Sequence, residues 1–181
     1  VRSARRLVVK IGTHVLTDER GELDLRVVRS LCRQVSRLIE AGRQVAVVSS
    51  GAIGAGVGML SLAGRPKRLP MLQAAAAVGQ GKLMQIFEQA LSRQGLHAAQ
   101  VLVTRADFED RRRYVNITRT LEALHRVRAV PILNENDTVA VDEIRFGDND
   151  VIAALTANLV RADLMVLLTL VDGLYRGDEL I

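Results

Sequence analysis

The sequence is poor in cysteine and in aromatic side chains. Cys32 is the only cysteine among 181 residues, and aromatic residues make up 3% of the chain. A single cysteine excludes an intramolecular disulfide and is typical of a protein from a reducing compartment. Cys32 occupies an apolar position of a predicted helix, so we expect a small buried side chain there. The scarcity of aromatic rings argues against a single-strand nucleic-acid binder, which stacks bases on such rings.

Long apolar segments are also missing. No uncharged apolar run reaches the length of about 18 residues that suggests a membrane span, and VRSARR at the N-terminus precedes only a short apolar strand. Neither a transmembrane helix nor a signal peptide is therefore indicated. We expect a cytoplasmic protein that binds neither membrane nor nucleic acid, with basic clusters such as Arg111-Arg112-Arg113 serving as solvated faces or subunit contacts.

The charge of the chain is distributed unevenly. Residues 134–150, NENDTVAVDEIRFGDND, carry six carboxylates and one arginine, whereas the chain as a whole has a net charge of +5. The spacing of a calcium-binding loop is absent, and a solvated acidic loop remains the ordinary alternative. Asn134, Asn136 and Asn149 add amides that both donate and accept, which favours recognition of a zwitterion. Alternation at Val139, Val141 and Ile144 predicts a small hairpin within the stretch.

Short apolar strands alternate with segments of helical periodicity, and 49% of the residues are hydrophobic, enough for a substantial core. Strands are predicted at 7–11, 45–48, 98–103, 130–133 and 164–168, and helices at 25–41, 70–94, 111–127 and 149–160, the last capped by Asn149 or Asp148. This order predicts an α/β fold, a three-layer αβα sandwich with a mainly parallel central sheet. Ligand sites are expected at the carboxyl ends of the strands.

Two polar constellations follow the first two strands. Lys10, within LVVKIG, either extends its ammonium to solvent or meets an anion, and Gly12 and Thr13 beside it suit a phosphate. Residues 49–56, SSGAIGAG, offer backbone N–H groups at a helix start, although these glycines could equally serve close helix-to-strand packing. Neither GxGxxG nor GxxxxGK[ST] is present. Together with the acidic stretch, the two constellations predict a charge-sorted site suited to phosphoryl transfer to a small acid.

Other catalytic patterns are not indicated. The three histidines lack the spacing of metal ligands, so we expect no protein-ligated metal. No Ser-His-Asp or Cys-His arrangement is suggested either.

Six motifs occur in order along nearly the whole chain: VVKIGTHVLT, VAVVSSGAIGAG, QAAAAVGQGKLM, DRRRYVN, ILNENDTVAVDEIRFGDND and LLTLVDGLY. This set resembles the glutamate 5-kinase family of the amino acid kinase superfamily. KxG[ST] and SSG are shared widely across the superfamily, whereas QAAAAVGQ, NENDTVA and RFGDND are more specific. Another member of the superfamily, such as acetylglutamate kinase, is the alternative assignment.

The resemblance implies ATP-dependent phosphorylation of the γ-carboxylate of L-glutamate, the first step of proline biosynthesis. Mg²⁺ would arrive with ATP, L-proline would act as a feedback inhibitor, and the protein would form a homo-oligomer, a dimer or a tetramer. Catalytic roles are implied for Lys10 and Asp150. Contacts with ATP are implied for Lys10, Gly12, Thr13 and Thr169, and contacts with glutamate for Ser50, Gly51, Asn134, Asp137, Asp148 and Asn149.

Two positions depart from the family pattern: Leu170 stands where an aspartate is usual after strand five, and His14 where a small hydroxyl residue is more usual. The resemblance also implies that residues 1–181 form one amino acid kinase domain, incomplete at its C-terminal, nucleotide-binding side, without the RNA-binding-like C-terminal domain of many members. The alternative to an active kinase is therefore a fragment that binds glutamate or proline without turnover.

Overall fold

The computed structural model describes residues 3–17, 23–140, 148–171, 173, 175–177 and 179–180. Its main sheet has five strands in the order β3-β4-β2-β1-β5, and every pairing within it is parallel. The strands are β1 (Arg6–Ile11), β2 (Gln44–Ser49), β3 (His97–Val103), β4 (Ala129–Glu135) and β5 (Leu164–Leu168). All five strands predicted from the sequence are thereby confirmed. A short antiparallel pair, β6 (Tyr175–Arg176) and β7 (Glu179–Leu180), stands apart from the main sheet.

The helices are α1 (Thr13–Leu16), α2 (Leu25–Glu40), α3 (Ala52–Met59), α4 (Leu69–Ser92), α5 (Arg105–Glu109), α6 (Arg111–Arg126) and α7 (Asp148–Leu159). Asp24 caps α2, since its carboxylate accepts from the backbone N–H of Arg26 at 2.8 Å. The expected cap of α7 is wrong, because Asp148 and Asn149 both lie within the first turn of the helix. Two helices, α1 and α5, were not predicted, because four or five residues are too few to show a helical period.

Apolar residues of the strands point alternately to opposite faces of the sheet. Val9, Val47 and Ile132 pack on one side against α2 and α4, in a cluster that includes Phe87. Their neighbours in the sequence face the other side and pack against α5, α6 and α7: Val8, Ala46, Val48 and Leu133. Because both faces are covered, the central strands are mainly apolar rather than alternating with polar residues. The structure confirms the three-layer αβα architecture.

The chain reverses its direction across the sheet after β3. From β1 through β2 to β3 it moves one way, and α2, α3 and α4 connect these strands on one face. From β3 through β4 to β5 it moves the other way, and α6 and α7 connect them on the opposite face. Crossovers of a single hand require this change of face when the direction reverses. The arrangement leaves the carboxyl ends of the central strands open at one edge, where ligand sites of such sheets form.

Helices α3 and α4 approach each other at two glycines. A Cβ atom on Gly56 would overlap the backbone of Ala75, and one on Gly79 would overlap the carbonyl oxygen of Ala52. Close packing, the alternative considered for the glycine-rich segment, therefore explains Gly56, although the contact joins two helices rather than a helix and a strand.

The hairpin expected around Val139, Val141 and Ile144 falls largely outside the described residues. Among the residues that are described, no helix is long and apolar enough to cross a membrane.

Candidate active site

A cavity of about 490 Å³ lies at the carboxyl ends of β1, β2, β4 and β5. Most of the site residues predicted from the sequence line it: Lys10, Gly12, Thr13, Ser50, Gly51, Asn134, Asp137, Asn149, Asp150 and Thr169. Asp148 occupies the first position of α7, and its side chain lies outside the described residues. The fold thus brings together residues spread over 160 positions, as expected for a parallel sheet whose polar residues follow its strands.

Lys10 is the penultimate residue of β1, and its side chain is only 12% exposed. Its Nζ lies 2.7 Å from Oδ1 of Asp150, which belongs to the first turn of α7. Of the two alternatives for a lysine in this strand, the structure therefore shows the one in which the ammonium meets an anion. The carboxylate of Asp150 is 49% exposed and remains open to the cavity.

Gly12 continues the backbone directly after β1. Its N–H donates to the carbonyl oxygen of Leu168 in β5 at 3.0 Å, which ties the loop to the neighbouring strand. A Cβ at this position would lie 3.3 Å from the same oxygen and 3.6 Å from Nζ of Lys10. The absence of a side chain keeps the space beside the ammonium open, so that a ligand oxygen can approach.

Ser50 and Gly51 form the turn from β2 into α3. The backbone N–H of Ser50 donates to the carbonyl oxygen of Ile11 at 3.1 Å, which holds the turn against the end of β1. Gly51 has φ of 103°, a left-handed conformation that a side chain would disfavour. Because α3 begins at Ala52, its first N–H groups face this end of the sheet and suit an anionic group.

A chain of amides connects the walls of the cavity. Nδ2 of Asn149 donates to Oγ of Ser50 at 3.0 Å and to Oδ1 of Asn134 at 3.1 Å. Nδ2 of Asn134 in turn donates to Oε1 of Gln80 at 2.9 Å. Asn134 lies within β4 rather than after it, and it is 3% exposed. Among the described residues, the buried Oδ1 of Asn149 has no hydrogen-bond partner, although Asn149 as a residue lines the cavity.

Charges of both signs surround the cavity. Of the described residues that line it, Lys10 and Arg65 carry permanent positive charge, whereas Glu135, Asp137 and Asp150 are carboxylates. Cations and anions thus occupy one small volume, which suits a zwitterion together with a phosphate. This arrangement agrees with the charge-sorted site that the sequence predicts.

Sequence reasoning missed Arg65, Glu135 and Gln80. Arg65 belongs to a basic segment, RPKR, between α3 and α4. This cluster of basic residues is the sequence feature that could have indicated a role for Arg65 in anion binding. Gln80 is the last residue of the QAAAAVGQ motif, but the period of a helix does not tell which neighbour its polar side chain will meet. His14 and Leu170, the two departures from the family pattern, both line the cavity, and Leu170 is 74% exposed.

Comparison of the sequence with those of known proteins identifies the family to which the chain belongs. The sequence model of the amino acid kinase family matches residues 5–181. A glutamate 5-kinase of Moorella thermoacetica is 56% identical over 175 residues, which are 97% of this chain and 46% of that protein. A glutamate 5-kinase of Thermoanaerobacter sp. (strain X514) is 52% identical over 173 residues, with shares of 96% and 46%.

A third relative, the glutamate 5-kinase of Polaromonas sp., is 51% identical over 178 residues, which are 98% of this chain and 47% of that protein. The chain spans about half the length of the curated relatives it matches. The family match covers almost all residues of the chain, and the parallel sheet with a cavity at the carboxyl ends of its strands is consistent with that match. The chain belongs to the amino acid kinase family.

Proposed function

We propose that this chain forms the amino-acid-binding part of a glutamate 5-kinase, in which MgATP phosphorylates the γ-carboxylate of L-glutamate. The observation that carries the proposal is the meeting, in one cavity, of the Lys10–Asp150 pair and the amides of Asn134 and Asn149. Similarity to glutamate 5-kinases at about half of all positions supports the choice of substrate.

The reaction transfers a phosphoryl group between two oxygens. An oxygen of the γ-carboxylate attacks the γ-phosphorus of ATP, the bond from that phosphorus to the β–γ bridging oxygen breaks, and its electron pair leaves with ADP. The attacking carboxylate is ionised at neutral pH, so no general base has to remove a proton. The protein has to position two anions and neutralise their charge, and this is what the described site offers.

Lys10 is assigned to the transferring phosphoryl group. Its ammonium would neutralise charge that is shared between the carboxylate and the phosphate oxygens, and Asp150 would keep it oriented. Gly12, Thr13 and Thr169 would contact ATP along the same edge of the cavity. Mg²⁺ enters as part of the MgATP substrate, and we assign it no protein ligand. Within the described part of the chain, no group of three or more His, Cys, Asp or Glu residues could hold a metal ion.

The opposite part of the cavity is assigned to glutamate. Its α-ammonium would be held by the carboxylate of Asp137, and Asn149 would contact the glutamate beside it. Ser50 and the backbone at Gly51 would hold the γ-carboxylate, and Asn134 would complete the pocket. The family resemblance is what assigns Asp148 to the same ligand. Because Asp137 favours a free ammonium, we choose glutamate over its N-acetyl derivative, the substrate of the alternative assignment.

An acyl-phosphate trap tests the proposal. The protein is incubated with L-glutamate, MgATP and hydroxylamine, and the hydroxamate is measured, with N-acetyl-L-glutamate as the matched control substrate. We expect product from glutamate and much less from the acetylated compound. Product only from N-acetylglutamate would favour the alternative kinase, and calorimetric binding of glutamate without product would favour a binding fragment.

Three further assignments follow from the same proposal. L-Proline has the α-carboxylate and an ammonium but no γ-carboxylate, so it would bind at Asn134 and Asp137 as a competing inhibitor.

The exposed Arg111 and Arg112 at the start of α6 are assigned to a contact within a dimer or tetramer, which light scattering can test. The proposed use of ATP and the single cysteine support an assignment of the protein to the reducing cytoplasm.

A further inference from the structure

Gln80 is a buried polar residue in the middle of α4, and it does not line the cavity. It is 8% exposed and lies on the face of the helix that packs against the sheet. An amide with so little access to water has to find its hydrogen-bond partners within the protein. Its partners therefore indicate what the side chain does.

The two ends of the Gln80 side chain contact different strands. Its Nε2 donates to Oε1 of Gln100 in β3 at 3.3 Å, and its Oε1 accepts from Nδ2 of Asn134 in β4 at 2.9 Å. Gln80 thus connects β3, an edge strand of the sheet, to Asn134, whose residue lines the cavity. It reaches the cavity only through Asn134.

Two anchors hold the amide of Asn134 in a single orientation. The backbone N–H of Glu135 donates to its Oδ1 at 2.9 Å, and Gln80 accepts from its Nδ2. A flipped amide would place its NH₂ group against the N–H of Glu135 and against Nδ2 of Asn149, so that donors would face donors. The observed orientation leaves Oδ1 of Asn134 as the acceptor for Asn149.

The orientation of the Asn134 amide also fixes the orientation of the Asn149 amide, which lines the cavity. Nδ2 of Asn149 is used for Asn134 and Ser50, so the oxygen of the same amide is left without a partner among the described residues. Without an acceptor at Gln80, the buried Nδ2 of Asn134 would lose its partner, and the side chain would rotate to find another. That rotation would remove the acceptor that holds Asn149.

We propose that Gln80 is a positioning residue, which sets the donor and acceptor directions of the substrate pocket by holding Asn134. The inference rests on the proposed function for its ligand, L-glutamate. Gln80 does not touch the substrate, and its effect reaches glutamate through Asn134 and Asn149.

Three variants of α4 test this positioning role by calorimetric titration with L-glutamate and, separately, with MgATP. Gln80→Leu removes the acceptor at nearly constant volume, Gln80→Glu keeps an oxygen in its place, and Gln85→Leu makes the same change at an exposed position of the same helix. We expect Gln80→Leu to weaken glutamate binding roughly tenfold, which is the usual scale for a buried donor left unpaired. Gln80→Glu should recover most of the affinity, Gln85→Leu should retain all of it, and MgATP binding should not change.

Equal glutamate affinity in Gln80→Leu and the parent protein would overturn the positioning role. Equal losses in Gln80→Leu and Gln80→Glu, or a matching loss of MgATP affinity, would also overturn it, since both indicate a general packing defect. Proton exchange of the Asn134 and Asn149 side-chain amides, measured by NMR without ligand, supplies an independent readout. It should accelerate in Gln80→Leu and not in Gln85→Leu.

The two readouts separate the two proposals. If the parent protein binds no glutamate, the proposed function fails, while the NMR comparison still decides whether Gln80 holds the two asparagines. If the parent binds glutamate and amide exchange is the same in all variants, the positioning role fails and the proposed function stands.

Discussion

Nζ of Lys10 lies 2.7 Å from Oδ1 of Asp150, and this ion pair joins the end of β1 to the first turn of α7. The lysine is nearly buried, whereas its partner is half-exposed at the cavity. The carboxylate thus holds the ammonium at the carboxyl end of β1, where an arriving phosphoryl group would meet a cation that is already oriented.

Replacing Lys10 should therefore affect the chemical step. We expect Lys10→Ala to lower kcat by at least about a hundredfold, the scale for one electrostatic donor in a transition state. The hydroxamate assay under saturating glutamate and MgATP measures this change. Lys82→Ala, an exposed lysine of α4 outside the cavity, is the matched control and should retain full activity. An unchanged kcat in Lys10→Ala would remove Lys10 from the mechanism.

Replacing Asp137 should weaken the binding of glutamate through its α-ammonium group. A charge-assisted hydrogen bond to the α-ammonium contributes about 1.5–3 kcal/mol, so we expect Asp137→Ala to raise the Kd of glutamate roughly tenfold to a hundredfold. Glutarate lacks the ammonium, and its binding should be equally weak with and without Asp137. Calorimetry with both ligands measures the difference. A loss of the same size for glutarate would show that Asp137 acts in some other way.

Arg65 should discriminate between ligands by their α-carboxylate. It is the second permanent cation among the described residues that line the cavity, and Lys10 is assigned to the transferring phosphoryl group. We expect Arg65→Ala to weaken binding of L-glutamate about tenfold and to leave binding of its α-amide unchanged. Lys67→Ala, in the same basic segment but outside the cavity lining, is the matched control. Equal losses for both ligands would contradict the assignment.

Two glycines of α4, two residues apart, should respond oppositely to alanine. Gly79→Ala places a Cβ against the backbone of Ala52, so it should lower the free energy of unfolding by about 1–3 kcal/mol. At Gly81 a Cβ would meet nothing within 4 Å, and Gly81→Ala should stabilise the helix by roughly 0.5–1 kcal/mol. Urea unfolding of both variants measures these changes. Stabilisation by both substitutions would show that α3 and α4 can move apart freely.

Cys32 should make stability depend on alkaline pH. Burial raises the pKa of its thiol to about 12, whereas a thiol in an unfolded chain titrates near pH 8.5. Above that pH the folded chain binds more protons than the unfolded one, so stability falls as pH rises towards the folded pKa.

Between pH 8 and pH 10 the loss due to Cys32 should reach roughly 2 kcal/mol. Urea unfolding at both pH values, compared between the parent protein and Cys32→Val, isolates this contribution, because all other groups are shared. Identical pH dependence in the two proteins would contradict a buried thiol with a raised pKa.

Apolar runs and polar strand ends were sufficient to predict the sheet and most of the cavity. Five strands appear where their apolar residues predict them, and Lys10, Ser50 and Thr169 line one cavity because β1, β2 and β5 end at one edge of the sheet. The short helices α1 and α5 escaped prediction, since they contain about one turn each and have no periodic signal.

Side-chain partners could not be predicted in the same way. The residue that holds Lys10 lies 140 positions away, and the glutamine that holds Asn134 lies on a helix connecting two other strands. These pairs depend on how α4 and α7 cross the sheet, and local periodicity carries no information about that crossing.

The αβα architecture, and the edge of the sheet where the polar site residues collect, can be derived from the amino-acid sequence alone. Both follow from short-range rules: buried parallel strands are apolar, and polar residues accumulate where those strands end. The pairing of Lys10 with Asp150, the position of Arg65 at the cavity and the hydrogen bond from Asn134 to Gln80 depend instead on how the folded chain packs. A hydrogen bond or an ion pair requires its atoms to lie within about 3 Å, and packing between distant segments alone sets such distances.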